Sequence, residues 1–492
     1  MQTKQSTAVL YTPPPGGELG TFFKSAPKIR PLPNVGCLFD IYTGRYYYGK
    51  HGEAILSGGM PHLLGIAGPG NSFKSVLLHY FILQVLNRYV RTQANIYDTE
   101  GSIQQARLNA LSVHLKRIFS IDLVDLGRMV LVDSPTMKLD VWYRAWREWS
   151  DNKLKKENVN GWTVESPFWN PKTDTYVNTL IPTLSEVDSL SMATTSGVQD
   201  IYDEKDIGSS DMNTESLRSM RDKSQMLMDM SDATIATNSF VGMTAHIGMK
   251  HQLNPREPVS KVMLFLKQKL TFKHVPEKFQ FIPNVVWYVS GAELLRNDTT
   301  KAVEFPRNKD DDLKGDTDLQ RLTLVALRNK YGASGIPFEI ILSQDEGVMV
   351  GLTEFNYIRS FDRFGISGNN VNYHLDLYPD VNLSRTTIRG KIDEDLRLRR
   401  ALQITSELCQ MINHWDDPES LFCSPKALRD DLIAMGYDFD SLLDTRGYWV
   451  YNEDASEEAP YLSTLDMLRM RRGLYTPHWF TKEQRAQLKP VS

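Results

Sequence analysis

At roughly 150 residues per domain, 492 residues is too long for one ordinary core. Hydrophobic side chains at 41% and charged ones at 24% are a globular balance, which excludes a disordered or fibrous chain. Lys+Arg 56 against Asp+Glu 60 leaves a net charge of -4, so this is no uniformly basic nucleic-acid coat and any nucleic-acid site must be local.

In chain order, residues 1–35 carry Pro13, Pro14, Pro15, Pro27, Pro31 and Pro33 with Gly16 and Gly17. Proline fixes φ and removes a donor, which predicts an extended tail. No apolar run of a signal peptide opens the chain, and the run Val76–Val90 is broken by His79, Gln84, Asn87 and Arg88, so no membrane span is expected. Cys37, Cys409 and Cys423 lie far apart and give neither a disulfide framework nor metal-ligand spacing. Together these features predict a cytoplasmic protein.

From Leu63 to Tyr357 strand-like and helical runs alternate. The expected strands are Leu63–Ala67, Ala94–Tyr97, Met129–Val132, Leu180–Val187, Phe240–Thr244, Val285–Val289, Leu322–Leu327 and Phe338–Leu342. Helices are expected after Lys74, after Gly101 and through Thr214–Thr237. This alternation predicts an α/β core, about 36–375, with a largely parallel sheet. Two stretches read as additions to it: 142–178, with five tryptophans, and 296–318, an acidic solvated loop around Asp310, Asp311 and Asp312. Beyond about 376 the pattern is mainly helical to 492, with helices expected in 391–413, 424–435 and 462–472.

The strongest chemical signal is Gly65-Ile66-Ala67-Gly68-Pro69-Gly70-Asn71-Ser72-Phe73-Lys74-Ser75, between an apolar strand and an apolar helix. Small residues from Gly68 to Ser72 let backbone N–H groups converge on phosphate oxygens. Lys74 supplies a cation for the β/γ phosphates, Ser75 a hydroxyl for Mg²⁺, and the helix N-terminus a partial positive charge. Phe73 departs from the general pattern, which has Gly there. One βα unit later, Ile96-Tyr97-Asp98-Thr99-Glu100-Gly101 ends a strand in carboxylates, where Glu100 is placed to polarise a water.

The pairing of GGMPHLLGIAGPGNSFKS with YDTEGSI resembles the RecA-type recombinases, closest to the UvsX-like recombinases of tailed phages, over about residues 45–360. Phe73 matches that subfamily's SFKS-type loop. The resemblance implies a RecA-like P-loop ATPase core. It implies hydrolysis of ATP with Mg²⁺ coupled to filament formation on single-stranded DNA, with homologous pairing and strand exchange in DNA recombination and repair. The implied partners are single-stranded DNA, homologous duplex DNA, further copies of the chain, and mediator and single-strand-binding proteins; for a phage chain the place is the host cytoplasm. Leu184–Leu190 resembles the family's strand ending in Val-Asp-Ser, so Asp188 would hold Mg²⁺ through water, although Pro182 is unusual inside a central strand. His246, ending Phe240–His246, takes the place of the γ-phosphate sensor. Arg107 stands where such proteins often place a Tyr on adenine, and a guanidinium also stacks. Arg328 and Lys330 resemble the cations given to a neighbouring subunit's ATP.

Two loops of such a core bear on DNA. Ala193–Glu215 is acidic, with Asp200, Asp203, Glu204, Asp206, Asp211 and Glu215 against Lys205, and repels phosphate. Pro258–Pro276 carries Lys261, Lys267, Lys269, Lys273 and His274 with Phe265 and Phe272 interleaved, a pattern suited to phosphates and unpaired bases. A DnaB-type hexameric replicative helicase is the alternative with the same chemistry, but the short extended stretch ahead of the core leaves little room for its helical N-terminal domain. A structural protein with a relic nucleotide site is disfavoured by Lys74, Ser75, Glu100 and Asp188 all being present.

Overall fold

The computed structural model describes residues 29–101, 103–204, 212–250, 261–369, 371–417 and 419–489. Residues 31–492 form one compact unit. Its centre is a ten-stranded sheet: β1 (Leu63–Gly68), β2 (Gln93–Asp98), β3 (Met129–Asp133), β4 (Thr183–Asp188), β5 (Ser239–Met249), β6 (Leu270–Lys273), β7 (Val285–Leu294), β8 (Leu319–Asn329), β9 (Pro337–Ser343) and β10 (Gly347–Val348). The order is β10-β9-β8-β7-β1-β5-β4-β2-β3, with β6 added to the end of β5. The six strands from β7 to β3 are parallel; β8, β9, β10 and β6 pair antiparallel. The fold is mixed α/β with a large, mostly parallel sheet.

Burial follows position in this sheet. β1 and β4 are buried at every residue, as strands covered on both faces are, whereas the edge strand β3 is half exposed. Helix α1 (Lys74–Arg88) is apolar nearly all round and buried from Leu77 to Leu86. Helices α2 (Gln105–Leu111), α3 (Leu139–Asn152), α4 (Met212–Thr237) and α5 (Val350–Ser360) complete the α/β part. The C-terminal stretch is mainly helical, with α6 (Leu396–His414), α7 (Pro425–Ala434) and α8 (Thr464–Arg471). It is tied to the start of the unit: the Asp466 carboxylate accepts from Ala54 N at 2.9 and 3.0 Å, and Trp449 Nε1 donates to Leu32 O at 3.1 Å.

Three expectations change. The strand expected over Leu180–Val187 is two elements: Thr175–Leu180 belongs to a hairpin with Thr163–Asn170, and β4 begins at Thr183. Pro182 therefore precedes the strand and costs it no ladder hydrogen bond. In the tryptophan-rich stretch, Trp142 and Trp146 are one helical turn apart on α3 and buried in the main core, with Trp142 5.5 Å from the Tyr97 ring. The acidic loop is pinned: Val303 and Phe305 are buried, Arg385 grips Asp312 at 2.8 and 2.9 Å, and Arg389 grips Asp318 at 2.8 and 3.0 Å.

The topology marks one crevice. The chain leaves β1 for β2, towards the β3 edge, and leaves neighbouring β5 for β6 and then β7, on the far side of β1. Adjacent parallel strands whose connections run in opposite directions open a crevice at their carboxyl ends, where α/β sheets bind ligands. Here Gly68, the last residue of β1, pairs in register with His246, three residues before the end of β5.

Candidate functional site

The loop after β1 borders that crevice. Pro69, Gly70 and Asn71 are exposed, and Asn71 and Phe73 take positive φ of 55° and 59°. Phe73 therefore sits in the left-handed region that Gly enters freely, the physical reason the general motif has Gly there. Backbone N–H groups of Gly70, Asn71, Ser72, Phe73 and Lys74 find no acceptor among the described residues, and Phe73 gives α1 no side-chain cap. Such a row of unpaired donors at a helix N-terminus is an anion cradle. Lys74 Nζ lies inside it, 2.5 Å from Pro69 O and 3.4 Å from Ser72 Oγ. Burial lowers the proton affinity of Lys74, and the Asp188 and Glu100 carboxylates oppose that shift.

The other named groups come from neighbouring strand ends. Asp98 is structural: its carboxylate accepts from the N–H groups of Glu100, Gly101 and Ile103 at 2.9, 3.0 and 2.7 Å. That turn pushes Glu100 outward, 44% exposed, with Oε1 3.6 Å from His246 Nε2. Asp188 ends β4, and its Oδ1 accepts from Thr244 Oγ1 at 2.5 Å. Ser75 stands half-buried in the first turn of α1. Gly68, Lys74, Glu100, Asp188 and His246 thus converge on the crevice. Below them, His79 of α1 and Glu186 of β4 form a buried pair, Nδ1 to Oε1 2.8 Å. Burial raises the Glu186 proton affinity against the pull of His79, while Glu186 outweighs burial and raises that of His79. Arg107 is half-buried on α2, close enough to His79 to oppose its protonation.

The remaining expected residues lie elsewhere. Arg328 is opposite Val286, which pairs with Gly65 near the start of β1; Arg328 and Lys330 are thus at the end of the sheet away from the loop that follows β1. Arg328 Nε donates to Pro283 O at 3.2 Å and Lys330 Nζ to Ile282 O at 2.8 Å. In the basic segment, Lys261, Lys267 and Lys269 are exposed. Lys273 donates to Met249 O at 2.5 Å. Phe272 is only 8% exposed, its ring 5.6 Å from Phe279, and so is a core residue that offers no face to a base; Phe265, 40% exposed, does. Pro258–Ser260, and residues 205–211 of the acidic loop, lie outside the described residues.

Sequence reasoning passed over the hydroxyls that hold the carboxylates. Thr99 donates to Asp188 O at 3.0 Å and accepts from Ser189 N at 2.7 Å, and Thr244 fixes the Asp188 side chain. Their one signal in the sequence is position, beside named residues at strand ends. Among the described residues no cluster of three or more His, Cys, Asp or Glu could hold a metal, and no helix is long and apolar enough to cross a membrane. A divalent ion here would therefore need ligands beyond side-chain carboxylates, and the Ser75 hydroxyl with water behind Asp188 suits a phosphate-bound ion.

No family model matches the chain, and no curated protein matches it. A solved structure described as the crystal structure of the RadB recombinase is similar over 59% of this chain and 92% of that one, at 15% identity and a TM-score of 0.30. A likeness of that size decides neither family nor function.

Proposed function

We propose that the chain is a RecA-type, DNA-dependent ATPase that assembles on single-stranded DNA and promotes homologous pairing and strand exchange, with residues 36–375 as its ATPase core and 376–492 as a helical extension. The observation that carries this reading is the cradle of unpaired N–H groups around Lys74, at the switch point of the sheet and facing Glu100, Asp188 and His246. The SFKS and YDTE motifs add the UvsX-like subgroup, and with it a phage setting in a host cytoplasm. Gly68–Ser75 would hold the triphosphate, Ser75 and Asp188 the Mg²⁺, and Arg107 the adenine. ATP with its Mg²⁺ supplies the phosphoryl group to be transferred and the charge that neutralises it. Glu100 orients and deprotonates the attacking water. His246, 3.6 Å from that carboxylate, is placed to register the γ-phosphate and lies on the strand that leads to the basic segment. Arg328 and Lys330 complete a neighbouring copy's site, which agrees with their place at the far end of their own sheet.

Negative-stain imaging with a non-hydrolysable ATP analogue, with and without single-stranded DNA, tests the assembly. Helical filaments that need both are expected. Closed rings would favour the helicase, and no nucleotide-dependent assembly would contradict the proposal.

A further inference from the structure

Lys223 lies in the middle of α4 and is 2% exposed. Its Nζ donates to two backbone carbonyls, Leu190 O at 2.8 Å and His274 O at 3.0 Å. Burial has pushed the ammonium down to about 8, and no carboxylate among the described residues offsets that. A methionine would fill similar volume without desolvating a charge, so packing alone does not account for the residue.

What it joins does. Leu190 is two residues beyond Asp188, and its N–H donates to Thr244 O at 3.0 Å. The next residue, Ser191, accepts from His246 N at 2.8 Å and donates to Lys273 O at 2.8 Å. On the other side, Ser189 is bonded to Thr99, between Asp98 and Glu100. The three-residue turn Ser189–Ser191 thus touches both carboxylate-bearing strand ends. Two side chains, Ser191 and Lys223, fasten it to Lys273 and His274, the last residues of the basic segment but for Val275 and Pro276.

We propose that Lys223 is a positioning residue that couples occupancy of the nucleotide crevice to the conformation of the basic segment, and so to affinity for single-stranded DNA. This rests on reading the crevice as an ATP site and the segment as a DNA site. Any displacement of Asp188 carries Leu190 with it. One donor shared by Leu190 and His274 passes that displacement on, because neither carbonyl can move away without leaving a buried ammonium short of an acceptor. Ser191 is the parallel link, through His246.

The test is a coupling measurement. The Kd for a fluorescent oligothymidylate is measured with Mg²⁺-ADP and with a Mg²⁺-bound non-hydrolysable ATP analogue, for the wild type, Lys223→Met and Ser191→Ala, each shown to be folded by its melting curve. The ratio of the two Kd values is the coupling. Lys223→Met is expected to lower the ratio by about fivefold or more, within the usual range of such couplings, while Kd for the analogue without DNA stays within about twofold. Reciprocity requires the effect of DNA on analogue affinity, relative to its effect on ADP affinity, to fall by the same factor, which a general loss of stability does not produce. An unchanged ratio in folded Lys223→Met overturns the inference and leaves the ATP and DNA sites standing. If that variant does not fold, Ser191→Ala decides on the same criterion: a lowered ratio supports the coupled turn and an unchanged one overturns it. A wild-type ratio near one overturns the coupling and leaves the DNA site standing, whereas no binding of the oligothymidylate in either nucleotide state overturns the DNA reading, and the coupling with it.

Discussion

The roles proposed for single side chains at the crevice can be tested one by one. Lys74 is the cation inside the cradle of unpaired N–H groups, so Lys74→Ala is expected to lose ATP binding, and unchanged affinity by titration calorimetry would remove the nucleotide reading. Glu100 is exposed towards the crevice and, among the described residues, its carboxylate caps no backbone N–H, unlike that of Asp98. Glu100→Gln is therefore expected to keep ATP affinity and to slow turnover on the order of 10²–10⁴-fold, the usual worth of a general base. Wild-type turnover in that variant would shift attention to the buried Glu186. Lys153 offers a test of the fold that is independent of function. It is fully buried, with Nζ on Ile181 O and Thr183 Oγ1, and burial pushes it down to about 7. The unfolded chain then holds more protons than the folded one between about pH 7 and the ordinary lysine value of roughly 10.4, so stability from this residue rises with pH across that window and is lost as pH falls through 7. Denaturant unfolding of wild type against Lys153→Met is expected to move in favour of wild type from pH 7 to 9, by at most about 1.4 kcal/mol per pH unit; a pH-independent difference would contradict it.

At the scale of elements, the basic segment divides into a surface and a root. Lys261, Lys267 and Lys269 are its exposed cations, and neutralising all three is expected to flatten the salt dependence of single-strand binding by up to about 0.7 in log–log slope per lost contact. An unchanged slope would place the DNA path elsewhere. Phe265→Ala should weaken binding with little change in slope. Phe272→Ala should instead cost the fold about 3–5 kcal/mol, as removal of a buried ring does, visible in a melting curve without DNA. Arg397, Arg469 and Arg471 offer a poor alternative path, since Arg397 holds Asp440 and Asp444, Arg471 holds Asp431, and Arg469 holds Asp466. How much of this was readable varies with the kind of signal. Seven of the eight expected strands lie where they were read, because apolar runs between Gly and polar turns need little context. The strand over Leu180–Val187 was misplaced because two strands meet at Pro182 with no polar break between them. Phe272 was read from composition, but on the two-residue alternation of β6 it points to the core while its neighbours do not. The hydroxyls of Thr99, Thr244 and Ser191, and the ammonium of Lys223, became visible only when tertiary packing gave each its partner.

For the whole molecule, the sheet holds the proposed site residues in two groups, one at each end. Gly68, Glu100, Asp188 and His246 meet at the carboxyl ends of the parallel strands, whereas Arg328 and Lys330 stand at the opposite end. Mixing Arg328→Ala with Lys74→Ala is accordingly expected to restore part of the hydrolysis that each lacks alone, since one copy brings an intact phosphate loop and the other an intact cation pair. No recovery at any ratio, with assembly intact, would make Arg328 structural. The most direct test of the central claim is the steady-state rate of ATP hydrolysis with and without single-stranded DNA, for wild type, Lys74→Ala and Glu100→Gln side by side. The wild-type rate is expected to rise when DNA is added, and both variants are expected to stay near background under either condition. A wild-type rate indifferent to DNA, or hydrolysis that survives the loss of Lys74, would contradict it.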